Sequence, residues 1–202
     1  LFRIKGYTIA EGSRTSKGSN IVNLLQLAEG EKVTNMICQS KDADTEGGFV
    51  TMVTKQGLIK RTPLEQYANI RKTGLIGIAL NEGDSLVWSH LTKGDDEIIV
   101  ATHDGAAIRF TEDGARSMGR TGHGVRVIKL REGDYVVGAA RAQEGKKVLT
   151  ITEKGYGKKT PVEEYRITNR GGLGIKNYMV TEKTGGIVGV KVVDGSEDLL
   201  LV

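Results

Sequence analysis

The chain has 202 residues, a formal net charge of +4, 38% hydrophobic and 27% charged side chains, 28 glycines and two prolines. That length can bury a sizeable core, and so much glycine without proline enrichment or a three-residue period excludes a collagen-like chain and points to many tight turns. The lone Cys38 excludes a disulfide framework or cysteine-based metal site and fits a reduced, cytosolic compartment, and no apolar run approaches the ~20 residues that cross a bilayer.

The chain begins at Leu1 rather than Met and ends inside the apolar run Leu199-Leu200-Leu201-Val202, so it is expected to be a piece of a longer protein. From the N-terminus, the apolar run 21–27 leads into the turn Ala28-Glu29-Gly30-Glu31. Two β-rich runs, 49–53 and 58–62, flank Thr54-Lys55-Gln56-Gly57, a tight turn whose glycine can take φ > 0. A looser segment through Tyr67 and Arg71 leads to a predicted third strand at 75–80. The turn Asn81-Glu82-Gly83-Asp84 then returns the chain into a fourth strand at 85–89. The same order recurs. The run 98–101 precedes Thr102-His103-Asp104-Gly105, Arg131-Glu132-Gly133-Asp134 copies the later turn, and 148–151 precedes Thr152-Glu153-Lys154-Gly155. A further glycine follows each Thr-x-x-Gly at matching distance: Gly74, Gly122 and Gly172.

Thr62-Pro63-Leu64-Glu65-Gln66-Tyr67 returns as Thr160-Pro161-Val162-Glu163-Glu164-Tyr165. Proline cannot donate to a ladder, so these sites mark the end of the second strand. The period is about 50 residues, in the range of propeller blades. No segment keeps a 3.6-residue apolar period. The expected fold class is therefore all-β, a propeller-like array of four-stranded blades. Residues 1–202 read as one domain: a partial blade 1–47, blades 48–95, 96–145 and 146–197, and the start of another at 198–202.

Charge follows the repeat. Four residues after each Thr-x-x-Gly glycine stands a cation, Arg61, Arg109 or Lys159, and extrapolation places Arg3 in the same register. The loop before the third strand is basic too, with Arg14 and Lys17, Arg71 and Lys72, Arg116 and Arg120, and Arg166 and Arg170. With the adjacent Lys5, Lys60 and Lys158, these are the candidate DNA-contacting residues. Carboxylates keep to another register: Glu82 and Asp84, Asp95 to Glu97, Glu132 and Asp134, and the 194–198 stretch. Equivalent positions in a repeating array occupy equivalent places, so the cations are expected to form one band. Only 5% of residues are aromatic and none recurs beside the cations, which disfavours base stacking on single strands. Without a recognition helix, the pattern suits duplex DNA curved along a basic edge with little base readout.

Several segments carry a more specific signal. Arg3-Ile4-Lys5-Gly6-Tyr7 with Ser13-Arg14-Thr15, Ile21-Val22-Asn23-Leu24-Leu25, Ile108-Arg109-Phe110 with Met118-Gly119-Arg120-Thr121, and Gly155-Tyr156-Gly157-Lys158-Lys159-Thr160-Pro161 closely resemble the gyrase A C-terminal domains of type IIA topoisomerases. The resemblance covers essentially the whole chain. It implies a β-pinwheel, a disc of roughly six blades that exchange strands with their neighbours. It further implies that DNA wraps on the basic edge and is presented to a catalytic core as a positive crossover, and that ATP-driven strand passage then introduces negative supercoils. The implied assembly is an A2B2 heterotetramer of the gyrase A and gyrase B proteins in the bacterial cytoplasm, associated with the nucleoid. ATP and Mg²⁺ would serve that holoenzyme, with no cofactor in this stretch. The family's supercoiling box, Q-R-R-G-G-K-G, has its nearest match at Asn169-Arg170-Gly171-Gly172-Leu173-Gly174; Leu173 stands where the box has Lys, so Arg170 reads as an ordinary edge cation. The corresponding C-terminal domain of topoisomerase IV is the alternative within the family. A protein-interaction scaffold is the alternative of another class.

Other motifs carry less. Gly155 to Thr160 lacks the full phosphate-loop pattern and no helix follows it. His90, His103 and His123 show no metal-ligand spacing and read as surface or turn residues. Tyr67 and Tyr165 occupy equivalent repeat positions, unlike a unique nucleophile, and read as packing residues. Trp88 and Met52 fall on apolar strand faces and read as core.

Overall fold

The structure is a computed structural model that describes residues 1–39 and 47–198; the apolar run 199–202, expected to begin a further blade, lies outside the described residues. Secondary structure within them consists of strands and short 3-10 turns. The strands are β1 (Phe49–Thr54), β2 (Leu58–Pro63), β3 (Leu86–Thr92), β4 (Glu97–Thr102), β5 (Ala106–Thr111), β6 (Val125–Arg126), β7 (Val136–Arg141), β8 (Lys147–Thr152), β9 (Gly157–Pro161), β10 (Ile175–Lys176) and β11 (Ile187–Val193). Both prolines close their strands, as expected.

Each repeat contributes a hairpin and one further antiparallel strand beside it. The first sheet runs β3-β1-β2-β6, the second β10-β5-β4-β7, and the third β11-β8-β9. Strand β6 belongs to the second repeat in sequence but pairs with β2 of the first, matching Leu58 to Arg126 and Ile59 to Val125. Strand β10 of the third repeat pairs with β5 of the second in the same way. Successive sheets are therefore laced together by strand exchange. At the opposite edge of the sheets, β7 packs against both β3 and β11.

Strand β4 explains the packing between sheets. Its residues are apolar in succession because both of its faces are covered, as in a strand inside a sandwich. Ile98 and Val100 join a core with Val53 and Ile59 of the first sheet. Ile99 and Ala101 face the other way, into a core with Val148, Val162, Tyr165 and Val190 of the third. Each fully buried isoleucine of this kind contributes ~1.5–3 kcal/mol. Met52 is buried, and Trp88 packs partly buried against the first core.

Two expectations change. The predicted third strand at 75–80 does not form; instead Leu75 exchanges backbone hydrogen bonds with Leu1, at 2.9 and 2.8 Å. This is the β6 and β10 pairing in reduced form, and it is short because the segment leaves its own repeat to meet a neighbour. The glycine register also shifts. Gly74 corresponds in space to Gly124 and Gly174 rather than to Gly122 and Gly172, because each is followed by the residue that pairs with the preceding sheet. The loop in the later repeats is longer, so counting from the Thr-x-x-Gly turn loses the alignment. At Gly124 and Gly174 φ is 105° and 74°. An added Cβ would lie 2.7 Å from the Ile59 oxygen and 2.5 Å from the Ala107 oxygen, so only glycine lets the exchanged strand come so close.

Candidate nucleic-acid interface

The cation register after each Thr-x-x-Gly turn exists in three dimensions, but its arginines are turned toward the neighbouring repeat. Arg3 donates from both terminal nitrogens to the carbonyls of Ala68 and Tyr67, each at 3.0 Å. Arg61 donates to Ala115 and, at 2.8 Å, to Gly94, with its guanidinium 4.8 Å above the Phe49 ring. Arg109 donates to Val162 at 2.9 Å and Tyr165 at 3.1 Å, and pairs with Glu97. Tyr67, Ala115 and Tyr165 are the same position of three successive repeats, at the end of the 3-10 turn that follows the second strand. The planar guanidinium, with five donors in a fixed fork, suits such multiple carbonyl contacts. The backbone of each arginine helps: the Met118 amide donates to the Arg61 carbonyl at 3.0 Å, and the Thr168 amide to that of Arg109 at 2.8 Å. These three arginines act as clamps between repeats. Lys159, next in the register, is exposed with no side-chain partner among the described residues.

Lys60 is also withdrawn from solvent. It is 1% exposed, and its ammonium donates to the carbonyls of Gly77 and Arg120. Burial, helped by the nearby Arg120 charge, lowers its pKa to about 8. Tyr67, buried beside it, donates its hydroxyl to Gly77 at 3.1 Å, and Tyr165 donates to Asn177 at 2.6 Å. Both tyrosines are packing residues, and burial raises both pKa values.

Most of the remaining cations lie on the exchanged segments and the loops that lead into them. Arg71, Lys72, Arg116 and Arg166 are exposed with no side-chain partner among the described residues. Lys158 is exposed with its ammonium 5.7 Å from the Tyr178 ring centre. Arg170 donates to Gly114 at 2.6 Å and Arg126 at 3.0 Å. In the N-terminal part, Arg14 and Lys17 are exposed, and Lys5 lies 5.6 Å from the Tyr7 ring centre.

Sequence reasoning missed Arg126 and Lys176, which occupy equivalent places on β6 and β10, together with Lys129 and Arg131. A readable signal existed: the stretches 67–81, 115–131 and 165–181 contain no Asp or Glu. The structure joins these stretches. The Ala79 amide donates to Gly122 at 3.2 Å, the Lys129 amide to Gly172 at 2.8 Å, and the Gly171 amide to the Val127 carbonyl. Each loop thus lies on the exchanged segment before it, along the sheet edge away from β3, β7 and β11.

Several of the acidic positions have structural partners. Asp84 accepts from the Gln56 amide at 2.9 Å and Asp134 from that of Asp104 at 3.0 Å, tying one turn of the repeat to the other. Asp96 pairs with Arg141 at 2.8 Å. At the Thr-x-x-Gly turns, His103 lies 2.9 Å from Asp104 and 3.3 Å from Glu153 and stacks on Tyr135, which carries Lys55 over its ring. The Asp104 hydrogen bond, followed by the Glu153 contacts, raises the His103 pKa. Among the described residues no cluster of His, Cys, Asp and Glu could hold a metal ion, and no helix is long and apolar enough to cross a membrane.

The family model described as DNA gyrase C-terminal domain, beta-propeller, matches residues 1–40, 49–93, 96–143 and 146–194. The chain is 44% identical over its whole length to the DNA gyrase A protein of Staphylococcus epidermidis and 43% identical to that of Staphylococcus aureus, and it spans 23% of the length of each. Among solved structures, the C-terminal domain of DNA topoisomerase IV superposes with a TM-score of 0.78 at 28% identity, covering 87% of this chain and 55% of that one. A DNA gyrase A C-terminal domain gives 0.76 at 26% identity, covering 94% and 61%.

Proposed function

The chain belongs to the DNA gyrase A C-terminal domain family, and on that basis we propose that it binds duplex DNA by its phosphates and curves it along the strip of exchanged segments. One observation supports this most directly. Cross-repeat hydrogen bonds join three stretches free of carboxylates, so unpaired cations follow one another along a single edge. The contacts would be made by Arg71, Lys72, Arg116, Arg120, Arg126, Lys129, Arg131, Lys158, Lys159, Arg166, Arg170 and Lys176, with Lys5, Arg14 and Lys17 extending the path toward the N-terminus. Arg3, Arg61, Arg109 and Lys60 hold the repeats at the spacing that keeps the strip continuous. Phosphate contacts of this kind position the duplex without reading its sequence.

Because the chain spans only 23% of its gyrase A relatives, the rest of the parent protein would supply strand cleavage and passage. In this reading the domain presents wrapped DNA to that core within an A2B2 holoenzyme that uses ATP and Mg²⁺ in the bacterial cytoplasm. The 44% identity to gyrase A favours gyrase over topoisomerase IV. The test is the salt dependence of duplex affinity. Six to ten phosphate contacts give a loss of roughly 10³–10⁵-fold between 50 and 200 mM salt. A salt-independent affinity, or marked preference for one sequence, rejects the proposal.

A further inference from the structure

The basic stretches are unequal. Stretch 67–81 carries two cations, Arg71 and Lys72; stretch 165–181 carries three, Arg166, Arg170 and Lys176. Stretch 115–131 carries five: Arg116, Arg120, Arg126, Lys129 and Arg131. Geometry widens the gap, because the Arg170 guanidinium donates to the carbonyls of Gly114 and Arg126, bringing its charge over the middle stretch. Arg116, Arg126, Lys129 and Arg131 are exposed with no side-chain hydrogen bond or ion pair among the described residues.

We propose that stretch 115–131, together with Arg170, is the primary anchor for the duplex, and that the flanking stretches take up DNA afterwards as it follows the edge. This rests on the duplex-binding reading above. Potentials from neighbouring like charges add, and each phosphate neutralised releases counterions, so the first contacts form where unpaired cations are densest. The backbone there is also held in place, since the Lys129 amide and the Val127 carbonyl are both bonded to the Gly171–Gly172 loop of the next repeat. Little conformational freedom is lost when phosphates dock on it.

A duplex of 12 base pairs is about 40 Å long, and at low occupancy it reports which stretch it prefers. The full chain, labelled with ¹⁵N, is titrated with such a duplex of mixed sequence at low salt. Amide shifts concentrated in 114–131 and 170–172 support the anchor. Two double variants then remove equal charge from exposed positions. Arg126→Ala with Lys129→Ala weakens binding by on the order of tenfold, and Arg71→Ala with Lys72→Ala by less than about threefold. Equal losses, or shifts centred on 67–81 or 165–181, overturn the anchor and leave duplex binding intact. If no stretch shifts, both ideas fall.

Discussion

At the joint between the first and second repeats, charged groups are buried among neutral partners; at the joint between the second and third, the matching positions are apolar and the charges have moved to the surface. Glu112 is fully buried and accepts from Thr92 at 2.7 Å, Thr51 at 3.1 Å and the amides of Gly94 and Asp96 at 2.7 and 3.2 Å. Its counterpart in the third repeat is Val162, also fully buried. The loop amide there, that of Gly145, is met instead by exposed Glu163 at 2.7 Å, and this bond is the main cause of the low Glu163 pKa. Likewise the buried Lys60 of the first joint has Ile108 as its counterpart, while the second joint adds the surface contact of His103 with Glu153. One backbone plan therefore accepts two chemistries. The amides and carbonyls at a joint need partners, and either a desolvated charge or an exposed one can supply them.

The strongest challenge to this contrast is Glu112→Ala. It leaves the Gly94 and Asp96 amides without their acceptor and costs about 3 kcal/mol, whereas Glu163→Ala costs far less because water replaces the lost bond. Urea denaturation of both variants checks it, and equal costs would show that the joints are energetically alike. Next in size are Arg61→Ala and Arg109→Ala, each costing about 2 kcal/mol by orphaning carbonyls of the next repeat. Under the proposed division of labour, neither changes the salt slope of duplex binding by as much as Arg126→Ala does.

Lys60→Met probes the same contrast through pH. The native amine titrates near pH 8 and the unfolded one near 10.5, so the unfolded chain holds more protons between those values. Stability therefore rises with pH in that window for the parent chain, and Lys60→Met flattens the rise. Measurements up to pH 9.5 suffice, since above about pH 10 the raised Tyr67 and Tyr165 values act in the opposite direction. The smallest effect belongs to His103. Its native pKa is raised above 6.5, so its contribution is complete below that pH and fades as pH rises through the native value. His103→Gln removes the fade; thermal melts from pH 6 to 8 that keep the parent's slope would show that the contact does not bind the repeats together.

Much of the fold is legible in the sequence because it is local. The Thr-x-x-Gly hairpins, the strand-ending Pro63 and Pro161 and the apolar run of β4 follow from turn geometry and alternation, and all three appear in place. The 75–80 segment misleads because a strand that pairs with a neighbouring repeat shows the same apolar residues as one that pairs at home. The site is legible only in part. Arg61 and Arg109 stand at recurring positions, but recurrence marks a clamp as readily as a ligand contact, and only their carbonyl partners distinguish the two. Lys60 next to Arg61 looks like one more exposed cation until strand alternation turns it inward.

An all-β repeat of about 50 residues, with cations and carboxylates in separate registers, is written in the chain itself, because hairpin turns and two-residue alternation depend on near neighbours. Which cations remain free is settled by the assembled fold. Strand exchange brings Arg126 and Lys176 to the sheet edge and turns Arg3, Arg61 and Arg109 against the next repeat. Whether a guanidinium meets a carbonyl or water depends on a partner more than fifty residues away, and composition carries no record of that distance.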